Sequence, residues 1–345
     1  MFTLRDWSGP RAHPAHGRHG RDPGRSVQNG QVRSPIDLAT LYEPWPPSPL
    51  RGVHDEWLAD RGVELRLKRD DLIHPLVPGN KWRKLTPNLR AAVERGHTRL
   101  LTFGGAYSNH LRAVAAAGTV YGLSTVGVVR GDELADAPRN WSLTRAEAQG
   151  MELAFLDRTG YRETLRTLDD PATRRALEER WGRCWVLPEG GTNVLAARGA
   201  AELPAELPDL GERDVVCCAV GTGGTLAGIA AGLPDGARAL GIAVVRGARY
   251  LDDEVTRLHE RGWGRTFGNW RIDHDHHGGG YGRVPPELDT FAAAFEDRHG
   301  IALERRYVAK ALWCVYDLVG RGALPPGTRI TAVITGPPDP VGPGG

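Results

Sequence analysis

Hydrophobic positions along this chain gather into two kinds of run. The first kind is short and β-rich: "VELRLKRD", "RLLTFGG", "TVGVVR", "MELAFLD", "CWVLPEG", "DVVCCAV", "LGIAVV" and "ITAVITG". Several of these are apolar throughout, as a sheet covered on both faces requires. The second kind is longer: "KWRKLTPNLRAAVERG", "SNHLRAVAAAG", "TNVLAARGAAEL" and "GTLAGIAAGL" read as helices that begin directly after a glycine-bearing turn. The alternation predicts an α/β layered fold with mostly parallel strands. In such sheets ligands gather at the carboxyl ends of the strands, where those turns lie.

Composition narrows the classes. The 345 residues are 40% hydrophobic and 25% charged, enough for one large or two modest domains with a buried core. A net charge of +2 gives no global attraction to nucleic acid or membrane. The basic excess is local, in "RAHPAHGRHGRDPGR" at residues 11–25, which has no apolar period and reads as part of a disordered tail. No secretory leader or transmembrane-length window is seen, so a cytoplasmic location is expected. Cys184, Cys217, Cys218 and Cys314 sit inside or beside apolar runs without zinc-ligand spacing and read as buried thiols.

Positive charge comes almost wholly from arginine. Only Lys68, Lys81, Lys84 and Lys310 are lysines, and two of them share "PGNKWRKL". Codon bias alone would leave such remnants. Lysine, unlike arginine, can also be shifted to a neutral, nucleophilic amine.

Three turns suggest what that amine is for. "DVVCCAVGTGGTLAGIAAGL" runs from an apolar strand through Gly221, Thr222, Gly223, Gly224 and Thr225 into a helix of small residues, an arrangement that suits a phosphate. It has neither the GK[ST] ending of a nucleoside-triphosphate loop nor the spacing of a dinucleotide fingerprint, so a monophosphate is expected. "LTFGGAYSNHLRAVAAAG" opens a helix with Ser108, Asn109 and His110, more polar groups than a cap needs and suited to a substrate carboxylate. The third turn is Gly79, Asn80 and Lys81. An amine, a monophosphate anchor and a carboxylate seat are the parts that a pyridoxal phosphate enzyme requires.

In chain order, "KRDDLIHPLVPGNKWRKL", "GGAYSNHLRAVAAAG", "PEGGTN", "GTGGTLAG", "GGGYGR", "RRYVAKAL" and "ITG" resemble the aminocyclopropane-carboxylate deaminase and D-cysteine desulfhydrase family of pyridoxal-phosphate-dependent enzymes. The resemblance implies fold type II, similar to the tryptophan synthase β chain, with two open, twisted, mostly parallel sheets covered by helices. It further implies a large cofactor domain from residues 34–84 and 173–337, a small α/β domain at 85–172, a loose tail at 1–33 and a flexible end at 338–345. The site would lie in the cleft, and the chain would pair as a homodimer.

Residue by residue, the resemblance makes Lys81 the lysine that binds pyridoxal 5'-phosphate covalently, with Lys84 helping the phosphate. Asn109 would meet the phenolic oxygen, and Ser108 would be a carboxylate ligand or proton carrier, with His110 beside them on the substrate side. Gly221, Thr222, Gly223, Gly224 and Thr225 would hold the phosphate, Tyr281 and Tyr307 would flank ring and substrate, and Thr335 would meet the pyridine nitrogen. Ring-opening deaminases carry an acidic residue directly after the second tyrosine, whereas Val308 stands there in this chain. That departure favours α,β-elimination from a small amino acid, giving a keto acid, ammonia and sulfide or another leaving group. Pro337 stands where members commonly continue with glycine. Cyclopropane ring opening, β-replacement and a catalytically silent amino-acid sensor are the alternatives.

Two further segments invite other chemistry. On a strand, "DHDHHGGGY" would put His274 and His276 on one face and Asp273 and Asp275 on the other. Similar segments precede the glycine-tyrosine pair in the family, so no metal is assigned. Asp70 and Asp71 would face opposite ways on a strand and are read as shaping the loop towards Lys81.

Overall fold

The computed structural model describes residues 26–28, 31–33, 37–77 and 79–338. The basic stretch at 11–25 and most of the expected flexible end lie outside the described residues. Ser26–Gln28 (β1) and Gln31–Arg33 (β2) pair antiparallel.

The chain divides into two compact units, each with its own sheet. One comprises Asn88–Gly191 with the residues before Trp45, and the other comprises Trp45–Pro87 with Thr192–Gly345. In the first unit, β5 (Arg99–Gly104), β6 (Ser124–Arg130), β7 (Met151–Leu156) and β8 (Trp185–Leu187) form an all-parallel sheet in the order β7-β6-β5-β8. Four helices connect these strands: α3 (Asn109–Tyr121), α4 (Trp141–Ala148), α5 (Arg158–Arg166) and α6 (Pro171–Trp181). The last three start where Asn140, Asp157 and Asp170 accept the first free amides, which is why the chain turns helical there. Leu101, Phe103, Val126 and Val128 pack with Tyr161 and Trp181 as this unit's core.

The second unit holds six strands: β3 (Leu50–Val53), β4 (Glu64–Lys68), β9 (Asp214–Val220), β10 (Arg238–Ala243), β11 (Trp270–Asp273) and β12 (Arg329–Val333). Their order is β11-β10-β9-β12-β4-β3, and only the edge strand β3 runs antiparallel. The central strand shows why its sequence is apolar at every position. Val215, Cys217 and Ala219 of β9 enter one core, whereas Val216, Cys218 and Val220 enter the other. The first core is closed by α10 (Pro286–His299) and α11 (Val308–Gly320). The second is closed by α7 (Val194–Ala200), α8 (Gly224–Gly232) and α9 (Tyr250–Trp263). The short α1 (Glu56–Ala59) follows β3, and α2 (Lys81–Glu94) contains the boundary between units at Pro87.

All eight strands expected from the sequence are present; β1, β2, β3 and β11 are additional. The four cysteines are buried and free of disulfides. Among the described residues, no helix is long and apolar enough to cross a membrane. Asp70 corrects the sequence reading: β4 ends at Lys68, and Asp70 opens a 3-10 turn, Asp70–Leu72. Its carboxylate is wholly buried and accepts from Ser48 Oγ at 2.7 Å and from Arg83 Nε at 2.9 Å. Asp71 pairs instead with Arg69, at 2.7 Å.

Candidate active site

Parallel strands deliver several loops to one edge of the six-stranded sheet. The carboxyl ends of β9, β12 and β11 lead to Gly221, Thr335 and the segment approaching Tyr281, respectively. The start of α2 is fixed to that edge by direct contact. Gly79 has a left-handed backbone (φ +67°), and a Cβ there would lie 2.1 Å from the Thr335 carbonyl oxygen, so only glycine fits. Asn80 then donates its backbone N–H to the same oxygen at 3.0 Å and its side-chain amide to Thr225 Oγ1 at 2.9 Å. Lys81 follows as the first residue of the helix.

Lys81 and Lys84 are one turn apart and share a helix face. Burial pushes the Lys81 amine down to about 8. The Lys84 amine lies well below the usual lysine range, first through burial and then through the nearby charge of Lys81. A neutral amine at ordinary pH is a nucleophile and a base, which arginine cannot become. Lys84 is 1% exposed and donates to Thr192 Oγ1 at 2.9 Å; that oxygen lies 2.5 Å from Thr222 Oγ1. The turn into α8 therefore stands against the second lysine. A Cβ on Gly224 would lie 3.1 Å from Thr192 Oγ1 and 3.3 Å from Lys84 Nζ.

This arrangement fits a phosphate. A nine-residue helix points its first amides at the turn, Gly223 supplies the left-handed residue (φ +81°), and a lysine and two hydroxyls converge there. Tyr307 forms a wall, its ring 3.3 Å from where a Cβ on Gly221 would stand. Tyr281 meets Tyr307 edge-on, with ring centroids 6.0 Å apart, and is 40% exposed. Glu304 fixes the approach to Tyr307 by accepting the amides of Arg306 at 2.8 Å and Tyr307 at 2.7 Å. Val308, the first residue of α11, is 1% exposed in the apolar core, so no carboxylate occupies this position.

Lys81, Lys84, Gly221, Thr222, Gly223, Gly224, Thr225, Tyr281, Tyr307 and Thr335 all belong to the second unit. Ser108, Asn109 and His110 belong to the first, at the start of α3. There Ser108 Oγ accepts from the Leu111 amide at 3.2 Å, and the Asn109 side-chain oxygen accepts from Arg112. The His110 ring is buried under Gly191, where a Cβ would come within 2.5 Å of it. Thr192 and Glu304 were not singled out from the sequence, and Asn80 was named there only as a member of its turn. Thr192 stood within the quoted "PEGGTN" and Asn80 within "PGNKWRKL".

The histidine-rich segment differs from the strand geometry expected of it. β11 stops at Asp273 because that carboxylate accepts the amides of Asp275 and His276, both at 3.0 Å, and turns the chain. His274 bonds Asp252 at 2.7 Å, while His276 places Nδ1 2.8 Å from Asp273 and Nε2 3.1 Å from Asp317. Asp273, His276 and Cys314 bring their side-chain donor atoms within 4.8 Å, with each ring nitrogen of His276 already facing a carboxylate.

The hydrogen bond to Asp273 raises His276 above the ordinary histidine value of 6.5, aided by the charges of Asp273 and Asp317. A raised folded-state value stabilises fully below the unfolded value, and the gain is lost as pH rises through the folded value. Urea unfolding is therefore expected to show wild type losing stability through this group as pH rises above the ordinary histidine value of 6.5. In His276→Gln that loss should shrink; an unchanged pH dependence would refute the assignment.

Comparison with known proteins gives a consistent pattern. Residues 46–336 match the family profile described as pyridoxal-phosphate dependent enzyme. A protein of Thermotoga maritima with the provisional name 1-aminocyclopropane-1-carboxylate deaminase is 31% identical over 287 residues, covering 80% of this chain and 88% of that protein. The D-cysteine desulfhydrase of Yersinia pestis is 30% identical over 210 residues, covering 58% and 62%. A crystal structure of an ACC deaminase homologue superposes with a TM-score of 0.72 at 26% identity, covering 85% of this chain and 90% of that one.

Proposed function

The chain belongs to the family of pyridoxal-phosphate-dependent enzymes, and from that membership we propose that it is a lyase removing a β-substituent from a small amino acid, with D-cysteine as the model substrate. The observation that carries this reading is the Lys81 and Lys84 pair beside the glycine turn of α8. When bound, pyridoxal phosphate withdraws electrons from the substrate Cα and so acidifies its proton. Lys81 would hold the cofactor covalently through Nζ. Lys84, Thr222 and the amides at the start of α8 would hold its phosphate, Tyr307 would lie along its ring, and Thr335 would meet the pyridine nitrogen. Asn109 is assigned to the phenolic oxygen.

Lys81 Nζ would serve as the base for the Cα proton, and its pKa, lowered to about 8 by burial, would leave about half of it neutral at pH 8. Ser108 and His110 are assigned to the substrate side, and Tyr281 to the approach beside Tyr307. The balance of elimination is complete without an oxidant: the Cα–H and Cβ–S bonds break, sulfide leaves, and water releases the keto acid and ammonia. Val308 favours elimination over ring opening, because the position where ring-opening relatives keep an acid is buried among apolar side chains. The same reading makes the protein a cytoplasmic homodimer.

The protein should gain a visible absorption band on incubation with pyridoxal phosphate. Borohydride should remove the band and leave a pyridoxyl mass on the peptide containing Lys81. D-cysteine should then yield sulfide and keto acid faster than 1-aminocyclopropane-1-carboxylate yields keto acid. A colourless protein with no adduct would sink the cofactor assignment, and a preference for the cyclopropane would replace elimination by ring opening.

A further inference from the structure

Each lysine other than Lys310 has been assigned work or an ion-pair partner, and Lys310 itself lies within the charge of buried Glu304. Lys81 and Lys84 serve the candidate site, and Lys68 pairs with Glu206 at 2.6 Å. Lys310 lies in the first turns of α11 and is fully buried, at 0% exposure. Its Nζ donates to the carbonyl of Gly280 at 2.9 Å and, more weakly, to that of Val244 at 3.4 Å. Burying an ammonium costs several kcal/mol. A leucine would fill the space without that cost, so the amine has a task that packing does not explain.

The two carbonyls indicate the task. Gly278, Gly279 and Gly280 all have positive φ, at +59°, +87° and +124°, in a loop outside helix or sheet that ends at Tyr281. Glycines in succession give such a loop little stiffness of its own. Val244 follows β10, and its side chain lies 3.9 Å from where a Cβ on Gly221 would be. Lys310 itself is three residues after Tyr307. One amine thus joins the Tyr281 loop, the helix that begins beside Tyr307 and the wall of the phosphate turn.

We propose that Lys310 is a positioning residue that holds Tyr281 against Tyr307 by anchoring the Gly280 carbonyl. The proposal rests on the functional reading above, in which both tyrosines face the substrate. Lys310→Met should keep the visible absorption and the Lys81 adduct of the holoenzyme but lower kcat for D-cysteine by about 10²-fold, the loss that a misplacement of about 1 Å produces. In a Tyr281→Phe background the same substitution should have little further effect, since the group being positioned is already gone. Hydrogen exchange should quicken at residues 278–283 in Lys310→Met and stay as in wild type on β9 and β12. Lys310→Gln, which keeps an uncharged N–H donor group, should recover part of the rate and provides the same comparison if the methionine variant does not fold.

Independent, multiplicative losses from the two sites, or unchanged exchange at 278–283, would overturn the positioning role while leaving an active wild type intact. A wild type without cofactor or turnover would overturn the functional reading, and the role of Lys310 with it.

Discussion

Lys81→Ala is expected to lose about 10⁴-fold in turnover of D-cysteine, the upper end of what a positioned proton-transfer group contributes, while the protein remains folded. The side chain is partly exposed at the start of α2, so its removal leaves no apolar cavity. Its pKa, lowered to about 8 by burial, brings the neutral amine within reach of ordinary pH. Lys84→Ala is the informative comparison. It removes the amine that bonds Thr192 and faces the glycine turn, so it should weaken cofactor retention, yet still allow a borohydride adduct on Lys81. Measuring kcat and adduct mass for both variants separates the roles. A Lys81 variant within ten-fold of wild type would eliminate the lysine as base and attachment point.

Arg83→Leu is expected to destabilise the protein by about 3–5 kcal/mol, the cost of breaking a buried ion pair from one side. Arg83 sits between Lys81 and Lys84 in sequence but points to a different task. Its guanidinium meets Asp70 at 2.8 Å and Glu206 at 2.6 Å, and Lys68 closes the network on Glu206. Without Arg83 the Asp70 carboxylate would remain wholly buried with Ser48 Oγ as its remaining side-chain donor among the described residues. Urea unfolding should show the loss. Arg166→Leu, which breaks an exposed i,i+3 pair on α5, should leave stability within error. Equal stabilities for the two variants would show that the buried network contributes nothing. Because the network grips α2 one residue from Lys84, Arg83→Leu should also loosen the cofactor seat.

The central strands were legible because their physics is local: β9 is buried on both faces and reads as an unbroken apolar run. The edges were not. β3 is an antiparallel edge strand with exposed Arg51 and Gly52, and β11 has only partly covered positions, so neither carries the apolar signature. Extended geometry failed at Asp273 because its carboxylate captures the amides of Asp275 and His276 and ends the strand, and at Asp70 because the chain turns into a 3-10 turn there, with the carboxylate drawn to Ser48 and Arg83. The glycine turns of the site were readable, since glycine, lysine and small polar residues cluster within a few positions. The partners of those turns were not, because they come from far along the chain. Thr192 is 108 residues from Lys84, Glu206 is 123 from Arg83, and Gly280 is 30 from Lys310.

The scarcity of lysine has a practical consequence. Lys68, Lys84 and Lys310 are each exposed by 1% or less, which leaves Lys81 as the lysine that solvent and an acylating reagent reach. On the proposed attachment, cofactor would occupy Lys81 as well, and a lysine-labelling experiment on loaded protein should count no modified lysine. Stripped of the cofactor, the protein should take one lysine label, and that label should silence it. Labelling stoichiometry would then report how much of a preparation is loaded, and ester-based coupling to a surface would spare only the holoenzyme.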